Sequence, residues 1–98
     1  MNDEDYGGSL DALTWAIEQR TDTVGAKLTL LLIAAQCGTG YRLAMKQDRL
    51  AELVGVEPRS LRRYITELQR LGMLESTFEG GAKPPTLRVL VDTRGHIR

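Results

Sequence analysis

The segment from Leu50 to Glu75 constrains the fold of this chain more than any other part of it. It contains two stretches whose apolar residues recur at helical spacing, and Gly55 separates them. Glycine readily adopts the left-handed backbone conformation, so Gly55 permits a tight turn between two helices. Pro58 is expected to be the first residue of the second helix, because an N–H at that position has no partner within the helix and proline lacks one. The segment therefore predicts a short helix over 47–53 and a longer one over 58–71.

The helix predicted from Pro58 has an apolar side and a cationic side. At about 100° per residue, its apolar residues fall within roughly 120° of one another, and its basic residues lie opposite. The apolar set is Leu61, Tyr64, Ile65, Leu68 and Leu71. The opposite set is Arg59, Arg62, Arg63, Thr66 and Arg70. Solvated helix faces usually pair both signs of charge one turn apart, whereas this face has no acidic residue, which favours binding of a polyanion.

The elements predicted around this segment are mostly helical. Helices are expected over about 9–20 and about 26–37, and Gly38 is expected at the C′ position that ends the second one. Residues 41–45 predict a short strand. Two further strand-like runs, 73–78 and 87–91, flank a connection rich in glycine and proline and predict a β-hairpin with a long tip.

The predicted fold class is therefore mainly α with a small β-hairpin. The expected domain comprises residues 9–92. A flexible acidic tail of residues 1–8 is expected before it, and a short C-terminal tail of residues 93–98 after it.

The two N-terminal helices raise the question of what covers them. In the first, Leu10, Leu13 and Ile17 share one face and are expected to point to the core, which would leave Ala12 and Trp15 outside. The second is apolar on nearly every side. Trp15 together with Leu30 and Ile33 therefore predicts a homodimer surface; the alternative is that one chain covers both faces by itself.

The formal net charge of the chain is zero, but its charges are unevenly distributed. Residues 1–22 hold six acidic side chains and one basic side chain, so the residues after Asp22 carry a net charge of +5. An acidic head before a basic body is a weak indication of a polyanionic partner. A solvated acidic tail on an ordinary domain is the alternative.

Several classes of protein find no support in the composition. Cys37 is the single cysteine and His96 the single histidine, so we expect no disulfide, zinc site, catalytic triad, cofactor or enzymatic activity. Cys37 is expected to be a small buried apolar side chain. The N-terminal sequence is acidic rather than basic, and the longest apolar run, 28–35, is too short to span a bilayer. The expectation is a cytoplasmic protein without a membrane partner.

The segment also resembles the winged helix-turn-helix domains of bacteria, plasmids and phages, in particular those of replication initiators and small stand-alone regulators. The elements that match are Leu50-Ala51, Gly55-Val56, the arginine-rich helix start from Arg59 to Arg63, and the run from Leu68 to Leu74. The resemblance covers about residues 27–92. It departs from the family pattern at the helix caps, where Lys46 or Gln47 and then Glu57 stand in place of serine or threonine.

The resemblance implies a small, dimeric transcriptional regulator that binds double-stranded DNA sequence-specifically. The residues expected at base edges are Arg59, Ser60, Arg62 and Arg63. Those expected at phosphates, on the helix or on the wing, are Thr66, Arg70, Lys83 and Arg88. Two alternatives stay open: the DNA-binding domain of a plasmid or phage replication initiator, and a winged-helix protein-interaction module that meets an acidic protein and does not bind DNA.

Overall fold

The computed structural model describes residues 9–78 and 80–91, as a set of helices beside a small antiparallel sheet. Its elements in chain order are α1 (Ser9–Ile17), α2 (Val24–Gln36), a 3-10 turn (Thr39–Tyr41), β1 (Arg42–Ala44), α3 (Gln47–Val54), α4 (Pro58–Arg70), β2 (Leu74–Thr77) and β3 (Thr86–Val89). The expected class, mainly α with a small β component, is confirmed. The two predicted tails and His96 lie outside the described residues.

The predicted turn between α3 and α4 is confirmed. Gly55 has φ 90° and ψ 30°, and its N–H donates to the carbonyl of Ala51 at 2.8 Å. An L-residue with a side chain adopts this left-handed conformation only with strain. Pro58 is the first residue of α4, as expected, and Glu57 stands at the N-cap without a side-chain hydrogen bond to the helix.

The ends of α1 and α2 differ from the expectation. α1 ends at Ile17 rather than near Arg20, and α2 begins at Val24, because the Thr23 hydroxyl accepts a hydrogen bond from the N–H of Ala26 at 3.1 Å. The predicted stop is confirmed, because Cys37 is the C-cap of α2 and the next residue is Gly38. Its φ is −106°, and its N–H donates to the carbonyl of Arg42, so the chain leaves α2 directly into the turn before β1.

The sheet has three strands in the order β1-β3-β2, and both pairs are antiparallel. The predicted hairpin corresponds to β2 and β3, in which Thr77 is the Cα partner of Thr86. The strand expected over 41–45 is β1, which pairs with β3 and not with a neighbour in sequence. Leu74, Leu87 and Val89 are buried and fix the inner face of the sheet against the helices.

The predicted orientation of α1 is wrong. Ala12 and Ala16 are fully buried and Trp15 is 7% exposed, whereas Leu10 and Ile17 are 58% and 60% exposed. Small side chains one turn apart let two helix backbones approach closely, and the indole then fills the space beside them. α1 therefore packs on the core through Ala12, Trp15 and Ala16, and of the three aliphatic residues expected there Leu13 alone is half-buried against it.

The expected homodimer surface is wrong for the same reason. Leu30 and Ile33 are fully buried and Trp15 is nearly so, all within one chain. These side chains cannot contact a second subunit without unfolding the core. The same core includes Cys37, which is 4% exposed and confirms the expectation of a small buried side chain. Within the described residues, no helix combines the length and apolar character that crossing a membrane requires.

Candidate nucleic-acid interface

α4 presents its two sides as its sequence predicts. Leu61, Ile65 and Leu68 are buried and Tyr64 and Leu71 are half-buried against the core, so the opposite side is turned to solvent. The residues exposed there are Arg59, Arg62, Arg63, Thr66 and Arg70. The amphipathic spacing thus aims a row of long cationic side chains away from the protein.

Four of these residues line one shallow surface depression: Arg59, Arg62, Arg63 and Thr66. We call this set the arginine face. Ser60 lies beside it and is half-buried, with its hydroxyl 3.5 Å from a guanidinium nitrogen of Arg63. The predicted base-edge residues are therefore brought together at the N-terminal half of α4.

The arginine face carries positive charge that the described residues do not neutralise. The ion pairs of the described chain join Arg49 to Glu52, Arg70 to Asp22 and Arg88 to Glu75, and none involves the arginine face. The first turn of α4 has no acidic residue; Glu57 at the N-cap is acidic, but its side chain makes no hydrogen bond to the helix. Open N–H groups and the helix dipole at that end favour an anion. Both features suit a phosphate or the acceptor-rich edge of guanine.

Arg70 differs from the arginine face. Its guanidinium is paired with the carboxylate of Asp22, which lies in the connection between α1 and α2. Both side chains are more than half exposed, so this pair is a weak one. The sequence showed no acidic residue on this face of α4. In the structure, however, Asp22 from the connection before α2 places a carboxylate beside the C-terminal end of that face.

The C-terminal half of α4 is tied to the start of α2 by Glu67. One carboxylate oxygen of Glu67 accepts from the N–H groups of Asp22 and Thr23 at 2.7 and 3.2 Å, and the other accepts from the Thr23 hydroxyl at 2.8 Å. A carboxylate at a helix N-terminus satisfies donors that the helix cannot. Glu67 thus fixes α4 against the body of the protein and leaves the arginine face free.

The two residues expected on the wing lie apart from the arginine face. Lys83 is exposed in the connection between β2 and β3. Arg88 is half-buried on β3, and its Nε donates to Glu75 at 3.1 Å. Neither lines the depression on α4. The described residues thus form two cationic regions, one on α4 and one on the sheet.

The structure adds two residues that the sequence reasoning missed. Asp22 approaches Arg70 across 48 positions of the chain, which no local pattern reveals. Arg42 lies on β1 as the Cα partner of Arg88. Side chains alternate between the two faces of a strand, so the expected strand over 41–45 already indicated that Arg42 points away from the core. Its partner strand, however, could not be read from the sequence.

Comparison with protein-family models, with curated proteins and with solved structures gave no match.

Proposed function

We propose that this protein binds double-stranded DNA sequence-specifically through α4, as a winged helix-turn-helix protein. The observation that carries the proposal is the arginine face: three exposed guanidinium groups on the first turns of one helix, with no carboxylate partner among the described residues. An α-helix fits the major groove, and the residues near its N-terminus meet base edges there.

The element order supports the same proposal. The chain runs from α3 through a left-handed glycine turn into the amphipathic helix α4, and then into the β-hairpin of β2 and β3. The short strand β1 pairs with β3 at the edge of this hairpin. In such an arrangement α4 is the recognition helix and the connection between β2 and β3 is the wing. Lys83 in that connection is exposed and able to reach a phosphate.

The proposed role of each side chain follows from its position on α4 and its charge. Arg59, Arg62 and Arg63 read bases, because the planar fork of arginine donates two hydrogen bonds to guanine O6 and N7. Thr66, one turn further along α4, donates its hydroxyl to a phosphate or a base edge. Ser60 supports Arg63 from the side.

The test is a selection of bound duplexes from a random library. We expect the wild-type chain to enrich a motif and the Arg62→Ala/Arg63→Ala variant to lose it. Each lost base contact is expected to reduce discrimination by about 1–3 kcal/mol. The matched control is Arg20→Ala/Arg49→Ala, which removes the same charge from exposed positions outside the arginine face and should retain the motif.

Each result of the selection has a defined meaning. An inverted-repeat motif supports a small transcriptional regulator that reads paired half-sites, and a motif of direct repeats supports a replication initiator. If the control variant loses the motif as well as the test variant, the binding depends on total positive charge and not on the arginine face. If no duplex is retained even at low salt, the DNA proposal fails and the arginine face is to be tested against acidic proteins.

A further inference from the structure

The outer face of the sheet carries a second cationic cluster, separate from α4. The antiparallel register makes Arg42 of β1 and Arg88 of β3 direct Cα partners, and Arg88 is also opposite Glu75 of β2. Side chains alternate along a strand, so these three lie on the face opposite to the buried Leu87 and Val89. The topology thus sets two arginines side by side where the sequence separates them by 46 positions.

This pairing is unfavourable for the sheet itself. Like charges directly opposite each other on neighbouring strands destabilise them. Glu75 offsets part of the repulsion, because its carboxylate accepts from the Nε of Arg88 at 3.1 Å. Arg42 is exposed and forms no ion pair with a described carboxylate. The cluster therefore keeps a net positive charge and guanidinium donors that have no acidic acceptor within the described chain.

Two hydroxyl groups complete the cluster. Thr86 precedes Arg88 by two positions, Thr77 follows Glu75 by two, and the two threonines are Cα partners. These five side chains line one concave depression. Guanidinium forks and hydroxyl donors around a single concavity match the oxygens of a tetrahedral anion.

We propose that this depression is a phosphate-binding site, in which Arg42 and Arg88 hold the phosphate group and Thr77 and Thr86 supply further donors. Glu75 is a positioning residue, because it holds the guanidinium of Arg88 in place. The chemistry is the same for free phosphate, a phosphorylated small molecule or the backbone of a duplex. This proposal depends on the proposed DNA binding only if the phosphate belongs to the backbone of a duplex.

The first experiment uses inorganic phosphate as the probe. The isotope-labelled full chain is titrated with phosphate against chloride at constant ionic strength, while the amide signals of β1 and β3 are followed. We expect saturable shifts there in the wild type, and about tenfold weaker binding in Arg42→Gln, which loses one charged donor. Arg49→Gln, which alters an exposed arginine of α3, should bind phosphate like the wild type.

A stability measurement separates binding from a structural role. Removing Arg42 relieves the repulsion at Arg88, so Arg42→Gln should unfold at the same temperature as the wild type or higher, although it binds phosphate more weakly. Arg42→Lys, a point charge without the fork, should bind with intermediate affinity. Linear shifts without saturation, or equal affinity in Arg42→Gln, would overturn the proposal.

A random-sequence duplex then distinguishes the source of the phosphate. If Arg42→Gln lowers the slope of log K against log salt concentration by about one, the site takes a backbone phosphate. If the slope is unchanged while phosphate binding is weakened, the site takes a free phosphate or a small phosphorylated ligand. Both results support the site. The Arg62→Ala/Arg63→Ala variant replaces two exposed residues of α4 and none that lines the sheet depression. Loss of DNA binding in this variant therefore leaves the phosphate titration interpretable, and the two proposals fail separately.

Discussion

At Gly25, the contact between α2 and α4 depends on the absence of a side chain. A methyl group built on this residue would lie 2.1 Å from the Cζ of Tyr64, far inside van der Waals contact. Either the ring or the helix must move to admit it. The glycine is therefore required for close packing and not for an unusual backbone conformation, since it lies inside α2.

We expect Gly25→Ala to lower the free energy of unfolding by about 1–3 kcal/mol, the usual cost of overpacking. Urea denaturation followed by circular dichroism measures this. The control is Gly38→Ala, because Gly38 has negative φ and nothing lies within 4 Å of the added methyl group. That change should stay within about 1 kcal/mol of the wild type. Equal stability of Gly25→Ala and Gly38→Ala would show that Tyr64 does not pack on α2 in this way.

If the proposed DNA contact by Arg70 exists, Asp22 competes with the phosphate for this guanidinium. In the free protein the carboxylate of Asp22 pairs with the guanidinium of Arg70 at the C-terminal end of α4. We expect Asp22→Asn to tighten binding to a random-sequence duplex at low salt and to steepen the salt dependence by about one phosphate contact. Asp11→Asn removes the same charge from the first turn of α1 and serves as the control. If both variants tighten binding equally, the effect is one of net charge and Arg70 is not released.

The elements around α4 are held by side chains that cap helix ends. The ammonium of Lys27 on α2 donates to carbonyls of Ala16 and Ile17 at 2.9 and 2.8 Å, and also to that of Gln19. Ala16 and Ile17 are the last two residues of α1, where carbonyls run out of partners within the helix, and the Ala16 carbonyl also accepts from the N–H of Gln19. Lys27 thus does for the C-terminus of α1 what Glu67 does for the N-terminus of α2.

Replacing Lys27 by methionine keeps the aliphatic stem and removes the donors. We expect Lys27→Met to lower the free energy of unfolding by about 1–3 kcal/mol, as for hydrogen bonds from a charged group. Lys46→Met is the control, since Lys46 is exposed at the N-cap of α3 and makes no cap hydrogen bond. Chemical denaturation of both variants gives the comparison. A loss in Lys46→Met as large as in Lys27→Met would contradict a specific role in capping.

Elements with local signals were predictable from the sequence, and contacts between distant elements were not. Gly55 and Pro58 determine the turn and the start of α4 through their own backbone preferences, so both were expected correctly. The orientation of α1 was not, because its larger aliphatic side chains suggested one face and close approach to α2 required the alanine face. The pairing of Arg42 with Arg88 likewise depends on strand order, which no local pattern encodes.

On the scale of the whole molecule, the zero net charge conceals an uneven distribution of charge over the surface. Three acidic side chains, Asp22, Glu52 and Glu75, are each paired with an arginine outside the arginine face. The arginine face itself stays uncompensated among the described residues. A formally neutral protein can therefore present a strongly cationic surface, and its salt dependence of DNA binding should follow that surface and not its net charge.

Cys37 offers a measure of how the core opens. The side chain is 4% exposed, its thiol donates to the carbonyl of Ala34 at 3.2 Å, and burial raises the pKa of the thiol. The unfolded thiol ionises near its ordinary pKa of 9.0 and the folded thiol ionises only at higher pH. Its contribution to stability is therefore full below pH 9 and is lost as the pH rises through the folded pKa.

We expect alkylation of Cys37 at pH 8 to require opening of the core. An opening free energy of about 3 kcal/mol already slows the reaction about a hundredfold relative to the unfolded chain. The control is Gln36→Cys/Cys37→Ala, which moves the thiol to the exposed neighbouring position and should react at the rate of an unfolded chain. Sub-denaturing urea then separates two routes. A rate that rises with urea as steeply as global unfolding means that α1, α2 and α4 open together, whereas a rate independent of urea means that only the end of α2 frays.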